Sequence, residues 1–368
     1  MRKNNFYLKK IKLNIIFIYF LLIFVLFLPN FSLIFSKEVL AQNEYYYTYD
    51  VKHLFTHCLI AYPSLAFKNR NPMKNNYLAD CITSKEFKAI ILSLYKNDYV
   101  LVKLSSCYSV DKNGNVIKNK VKVPKGKKPL VFSFDDVNYD SKKVGYGMVD
   151  KIILDKNSNI ASLTKINNKD DIRYDVEFIP ILENFIINHP SFSYNGAKGV
   201  INLTGYDGVL GYRTSHTNTK NRNSEIKEAK LVINKLKQLG WEFASHSYGH
   251  YHMNRIDINK FKKEIFLWKD EVEPLIGKTD VYVYPYGEWQ VFENGEICEK
   301  HKVLQNAGFH LFCGVGMKDF YSYLPNKKYK VLFMDRKCID GNTLTANKKE
   351  LFEFFTPKLV IDSTRFSN

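Results

Sequence analysis

Gly240-Trp241-Glu242-Phe243-Ala244-Ser245-His246-Ser247-Tyr248-Gly249-His250 is the stretch on which the reading of this chain turns. Just before it, 224–239 is strongly periodic, with Ile226, Ala229, Val232, Ile233 and Leu236 on one helical face. Gly240 closes that helix, and 241–245 reads as a strand running straight into His246. Histidines four residues apart lie on one face of a helical turn, so both imidazoles can reach one cation. Taken alone the pair is moderately specific, since surface and capping histidines show the same spacing.

The same alternation extends in both directions. Short apolar runs at 58–62, 100–104, 130–134, 199–203 and 281–284 read as strands. Between them, 83–97 opens on a hydroxyl N-cap at Thr83 and carries Phe87, Ile90, Ile91 and Leu94 at helical spacing. Further helices are expected over 175–187, 258–275 and 301–306. Polar excursions interrupt the pattern at 109–128 and 138–171, the second with a turn near 155–159. Strands alternating with helices imply parallel strands joined by crossovers, hence an α/β barrel or a doubly wound sheet. No period of 20–50 residues recurs, which excludes a solenoid.

Composition bounds the function classes. Of 368 residues, 45% are hydrophobic and 25% charged, a globular balance that excludes a disordered or collagen-like chain. The formal charge is +17, of which Arg2, Lys3, Lys9, Lys10 and Lys12 supply five before any acid appears. That leaves +12, scattered as a lysine-rich surface. No zinc-finger spacing, RNA-reading aromatic motif or basic heptad region occurs, so no nucleic-acid partner is expected. Behind the basic start, 15–28 is unbrokenly apolar and 31–35 resumes the run. Residues 1–41 therefore read as a signal peptide cut before Gln42, or as an uncleaved membrane anchor. Either way the positive end stays inside and the bulk of the chain is exported, touching membrane only through this segment. The six cysteines are widely spaced with no C-x-x-C pair, so disulfides and buried free thiols both stay open. A monomer is expected.

Two more clusters sit where strands end, which is where α/β folds place their sites. Ser133-Phe134-Asp135-Asp136 is one, and Tyr284-Pro285-Tyr286-Gly287 is the other. Alone, a paired acid is usually a turn or helix cap, and the second cluster is a turn with aromatic flanks. Together with the histidines they say more. One aspartate and two histidines make a three-ligand site with positions left for water, the catalytic arrangement of a metal. Such a metal lowers the pKa of bound water, and a second, free carboxylate can take the proton.

Phe134-Asp135-Asp136, then Gly240 through His250, then Pro285-Tyr286-Gly287 resemble, in that order, the motifs of the polysaccharide deacetylases of the NodB-homology type, carbohydrate esterase family four. The resemblance runs over most of the chain beyond its leader, and it implies a distorted (β/α) barrel with insertions, a catalytic domain over 50–360. It implies Asp135 as general base, and Asp136, His246 and His250 as ligands of a divalent metal, Zn²⁺ being expected. The backbone N–H of Tyr286 would help stabilise the oxyanion. Substrate contacts are expected from Tyr284, Pro285 and Arg213, the last in a loop over 202–214 that reads equally as a glycine-rich surface turn. Two features depart from the family. Val283 stands where an Arg often positions the base, and the stretch 331–337 lacks the Leu-x-His whose histidine serves as general acid. Arg336 and Asp335 are substitutes there, with Arg336 alternatively pairing to Asp135, and His252 and His310 are further candidates. The implied activity is removal of acetyl groups from an N-acetylated cell-wall or extracellular polysaccharide. A glycan-binding protein with weakened turnover and an O-acetyl esterase are the alternatives.

Overall fold

The computed structural model describes residues 43–289, 292–293, 296–316, 320–323 and 331–366. The expected leader at 1–41 lies outside them. Among the described residues no helix is long and apolar enough to cross a membrane. A small unit takes in 43–46 and 122–126, where strands Glu44–Tyr46 and Lys122–Pro124 pair antiparallel. The large unit holds the remainder.

Seven parallel strands organise the large unit: β1 (Lys52–His57), β2 (Lys128–Asp135), β3 (Val200–Leu203), β4 (Glu242–Ser245), β5 (Val281–Val283), β6 (Leu311–Val315) and β7 (Val331–Cys338). Each pairs with the next in sequence, and β7 pairs back onto β1, which closes the ring. Helices α1 (Ser84–Lys96), α2 (Phe178–Asn188), α3 (Arg222–Leu239), α4 (Ile258–Glu271) and α5 (Glu299–Asn306) provide the crossovers up to β6. Between β6 and β7 the described residues include a strand, Phe320–Tyr323, antiparallel to β7. The fold is thus the (β/α) barrel expected, with one strand fewer than an eight-stranded barrel.

Local chemistry explains the elements. In α1 the Thr83 hydroxyl accepts the Glu86 N–H, and the Glu86 carboxylate accepts the Thr83 N–H. In α3 the apolar face is buried as the periodicity requires, through Ala229, Val232, Ile233 and Leu236. Stacked rings of Phe134 and Phe178, 3.8 Å apart, lock α2 onto β2. Gly240 ends α3 at φ 102, and a Cβ there would lie 2.0 Å from the Gly196 carbonyl oxygen. Gly240→Ala is therefore expected to cost about 1–3 kcal/mol in a denaturant titration, and an unchanged midpoint would contradict that reading.

Some expectations shift. The first strand is Lys52–His57 and not 58–62, which holds only an isolated bridge between Ile60 and Thr83. His53 and His57 hid it, because this strand carries polar side chains into the barrel where an apolar pattern is sought. Helix 258–275 breaks at Val272, since Pro274 lacks the N–H an uninterrupted helix needs, and a second short helix, Glu273–Ile276, begins there. The excursion over 138–171 contains an antiparallel sheet of three strands, Lys151–Leu154, Ile160–Ile166 and Lys169–Arg173. Its first turn is set by Asp155, whose carboxylate accepts the N–H groups of Asn157 and Asn159. All six cysteines are free.

Candidate active site

The C-terminal ends of the strands converge on a cleft of about 690 Å³. Strand β2 delivers Asp135 as its last residue, and Asp136 follows at φ 58. That left-handed step sends two successive carboxylates in different directions, Asp135 into the barrel and Asp136 into the cleft. Beyond β4, Ser247 and His250 also take positive φ, 58° and 52°. The two histidines therefore meet across a strained turn and not along a helical one. Non-glycine residues in this region cost about 1–2 kcal/mol each, and such strain gathers at functional sites.

One ligand atom from each of Asp136, His246 and His250 lies within 4.8 Å of the others. His250 Nε2 is 3.6 Å and His246 Nε2 4.0 Å from Asp136 Oδ1. The His246 Nδ1–H donates to the Val283 carbonyl at 3.0 Å, which leaves Nε2 as a lone pair facing the cluster. Burial lowers the His250 pKa to about 4 against the pull of Asp136, so this ring is neutral near pH 7. Asp136 Oδ1 is buried and has no hydrogen-bond partner among the described residues. A carboxylate oxygen and two imidazole nitrogens thus point at one another, and a divalent cation is the group that satisfies them. The residues fit a metal.

Asp135 is held differently. Arg336 donates to both its oxygens, at 2.8 and 3.0 Å, and Asn202 Nδ2 donates to Oδ1 at 2.6 Å. Burial would raise this carboxyl, but Arg336 and then His246 bring it well below the usual carboxylate range. Phe55 lies under the guanidinium, 4.0 Å from ring centroid to Cζ. Oδ2 faces His246 Nε2 at 3.6 Å, beside the metal cluster. The departure at Val283 is thereby met from another strand, since β7 supplies the arginine that orients the carboxylate.

The other residues named from sequence scatter. Tyr286, 56% exposed, lines the cleft at φ 58 with its ring stacked on His252 at 3.8 Å. Tyr284 is fully buried with its hydroxyl turned to His301, and Pro285 is buried in the turn below Tyr286. Arg213 does not line the cleft either. It bonds to Asp207 and to the Tyr139 carbonyl, bracing its own loop. His252 is held by Glu288 at 2.9 Å, and the N–H of His310 bonds to the Asp280 carbonyl ahead of β6, at the opposite end of the barrel. His57, Lys143 and Tyr206 line the cleft without having been singled out. A buried asparagine inside the apolar run of β3, Asn202, was the available signal for a strand serving the site. Cys81 and Cys338 also line the cleft, and the Cys58 thiol lies 3.5 Å from the Asp136 carbonyl oxygen, so distance along the chain did not mean distance from the ligands.

Residues 213–303 match the family model described as polysaccharide deacetylase. The resemblance to the polysaccharide deacetylases holds. The matched stretch contains His246, His250 and Pro285-Tyr286-Gly287, and it ends well after Asp135 and Asp136 in the chain without including them. Among curated protein sequences none matches this chain. Among solved structures, a Streptococcus pyogenes deacetylase in complex with acetate aligns over 80% of this deacetylase-like chain and 94% of its own, at 15% identity and TM-score 0.43. A de-N-acetylase from Aggregatibacter actinomycetemcomitans aligns over 80% and 97%, at 13% identity and TM-score 0.44. A polysaccharide deacetylase from Bacillus cereus aligns over 81% and 68%, at 12% and 0.43.

Proposed function

We propose that this chain is an exported, metal-dependent hydrolase that removes acetyl groups from the N-acetylated sugars of a cell-wall or extracellular polysaccharide. The family match supports deacetylation of a polysaccharide. The observation that carries the finer reading is a pair of adjacent carboxylates with separate duties: Asp136 faces two imidazoles, while Asp135 is tethered beside them by Arg336 and Asn202. A carboxylate serving only structure would not need its neighbour turned away from it at φ 58.

Asp136, His246 and His250 would hold the cation, with Zn²⁺ suited to such a nitrogen and oxygen set. When bound, the metal supplies Lewis acidity and makes water nucleophilic near neutral pH. Asp135 accepts the proton of the attacking water at Oδ2, the oxygen nearer His246. Arg336 holds that carboxylate in place, and Tyr286 at the rim presents its backbone N–H to the developing oxyanion. Export follows from the basic, apolar segment 1–41, and the remaining +12 charge suits anionic wall polymers.

The test is acetate release from N-acetylglucosamine oligomers by protein stripped with chelator and then reloaded with zinc. Release is expected to vanish on stripping and return on reloading. No release from any N-acetylated glycan at saturating zinc would overturn the reading, and release that survives complete stripping would remove the metal from it.

A further inference from the structure

The excursion over 138–171 begins beside the site and turns one of its first side chains into the cleft. Lys142 and Lys143 are neighbours there, yet Lys142 is exposed while Lys143 is half-buried and lines the cleft. A lysine on a surface loop can reach water by extending its stem, so an ammonium turned inward needs a reason. The loop is braced to present it. The Asp140 carboxylate accepts the Lys142 N–H at 2.8 Å and the Tyr206 hydroxyl at 3.0 Å. Asp207 accepts the Ser141 N–H at 2.6 Å, and Arg213 joins Asp207 to the Tyr139 carbonyl. Arg213 thus serves the cleft at one remove, by fixing the loop that carries Lys143.

The charges of the cleft leave this ammonium unmatched. Arg336 is committed to Asp135. Asp340 caps the helix Gly341–Thr345, where it accepts the Thr343 N–H at 2.7 Å, and burial raises the Asp80 carboxyl. Among the described residues Lys143 Nζ has neither a hydrogen bond nor an ion pair. Burial disfavours its charge, but Asp136 leads the groups that more than offset this. Asp136 is also the carboxylate that faces His246 and His250. A cation on those three residues would leave two positive charges close together, which costs free energy unless an anion joins them.

We propose that Lys143 reads a carboxylate on the acetylated sugar, so that the cleft selects an acidic N-acetylated glycan over a neutral one. The inference deepens the deacetylase reading above and rests on it for the glycan. Asp136 is the charge that acts most strongly on Lys143, so the ammonium serves the sugar whose acetamide is at the cation site. On such a sugar, an ether on the neighbouring ring oxygen is the substituent nearest the reacting amide. A carboxylate on that ether accepts charge-assisted hydrogen bonds from the ammonium. A neutral hydroxyl there leaves the charge uncompensated, so selection comes from a penalty as well as from an attraction.

Two tetrasaccharides test this. One contains N-acetylglucosamine alone and is neutral. In the other, N-acetylglucosamine alternates with N-acetylmuramic acid, whose lactyl ether puts a carboxylate beside the acetamide. Calorimetry on the zinc-loaded full chain carrying Asp135→Asn reads affinity without turnover, and kcat/KM comes from the chain without that change. The acidic tetramer is expected to bind about tenfold or more tighter than the neutral one, and the gap should narrow in high salt. Adding Lys143→Gln should bring the two dissociation constants within about threefold of each other, whereas Lys143→Arg should keep the preference. The kcat/KM values should rank the tetramers in the same order. No preference with Lys143 present, a preference that survives Lys143→Gln, or equal weakening on both tetramers would each overturn the assignment. Zinc-loaded wild-type protein that releases acetate from neither tetramer would instead overturn the deacetylase reading, and the ratio of dissociation constants would still decide for or against Lys143.

Discussion

Asp135→Asn is expected to lower acetate release by about 10²–10⁴-fold while zinc binding persists. An amide side chain keeps the shape but has no basic lone pair for the proton of the attacking water. Its oxygen can still accept from Arg336, so the side chain stays near its native position. Asp136, His246 and His250 are untouched, and zinc content by elemental analysis should match wild type. The pair of readouts matters because Asp135 also counters a guanidinium that is only 1% exposed. Part of any loss could reflect unfolding, so rates belong at a temperature where circular dichroism shows the variant folded. Release that continues at the wild-type rate in a folded, zinc-loaded variant would remove Asp135 from the mechanism.

The barrel was legible because its signals were local. Gly240 after a periodic helix, Thr83 with Glu86, and the apolar run before Asp135 each specify an element without help from distant residues. The cluster of Asp136, His246 and His250 was legible because residue type and position at strand ends restrict what they can do. The manner of their meeting was not, since the positive φ of Ser247 and His250 has no glycine to announce it. Strand β1 was missed for a physical reason: its inward positions serve the site, so His53 and His57 stand where a pattern search wants valine. His57 was overlooked for the same reason. Tyr284 was overread, because proximity in sequence to Tyr286 says nothing about which of the two tyrosines faces solvent. The resemblance located the base and the ligands, but the arginine beside the base could be placed only by register. Arg336 reaches Asp135 because β7 closes onto β1, a contact spanning 201 residues of sequence.

That contact makes Arg336→Leu the variant with the largest expected loss of stability. Removing one partner of a buried ion pair typically costs about 3–5 kcal/mol, because the other charge is left buried and uncompensated. Asn202 would still donate to Asp135, but a neutral amide does not replace a guanidinium gripping both oxygens. The pH dependence follows with a definite sign. In the wild-type protein the Asp135 carboxyl sits below its unfolded value, so its contribution to stability is fully present above the ordinary carboxylate range and is lost as pH falls through the folded value. In Arg336→Leu the burial that favours the neutral acid is no longer overcome, and the carboxyl moves up. Stability is then lowest near neutral pH and recovers, relative to wild type, as the pH falls through the raised value. Denaturant titrations at pH 7 and pH 5 should show the deficit shrinking on acidification. The double variant Asp135→Asn with Arg336→Leu removes both charges and should be more stable at pH 7 than Arg336→Leu alone, by a coupling within the 0.5–3 kcal/mol usual for contacting residues, or about that size. Additive losses in that cycle would mean that the two side chains are neighbours without being partners, and the base would then need another anchor.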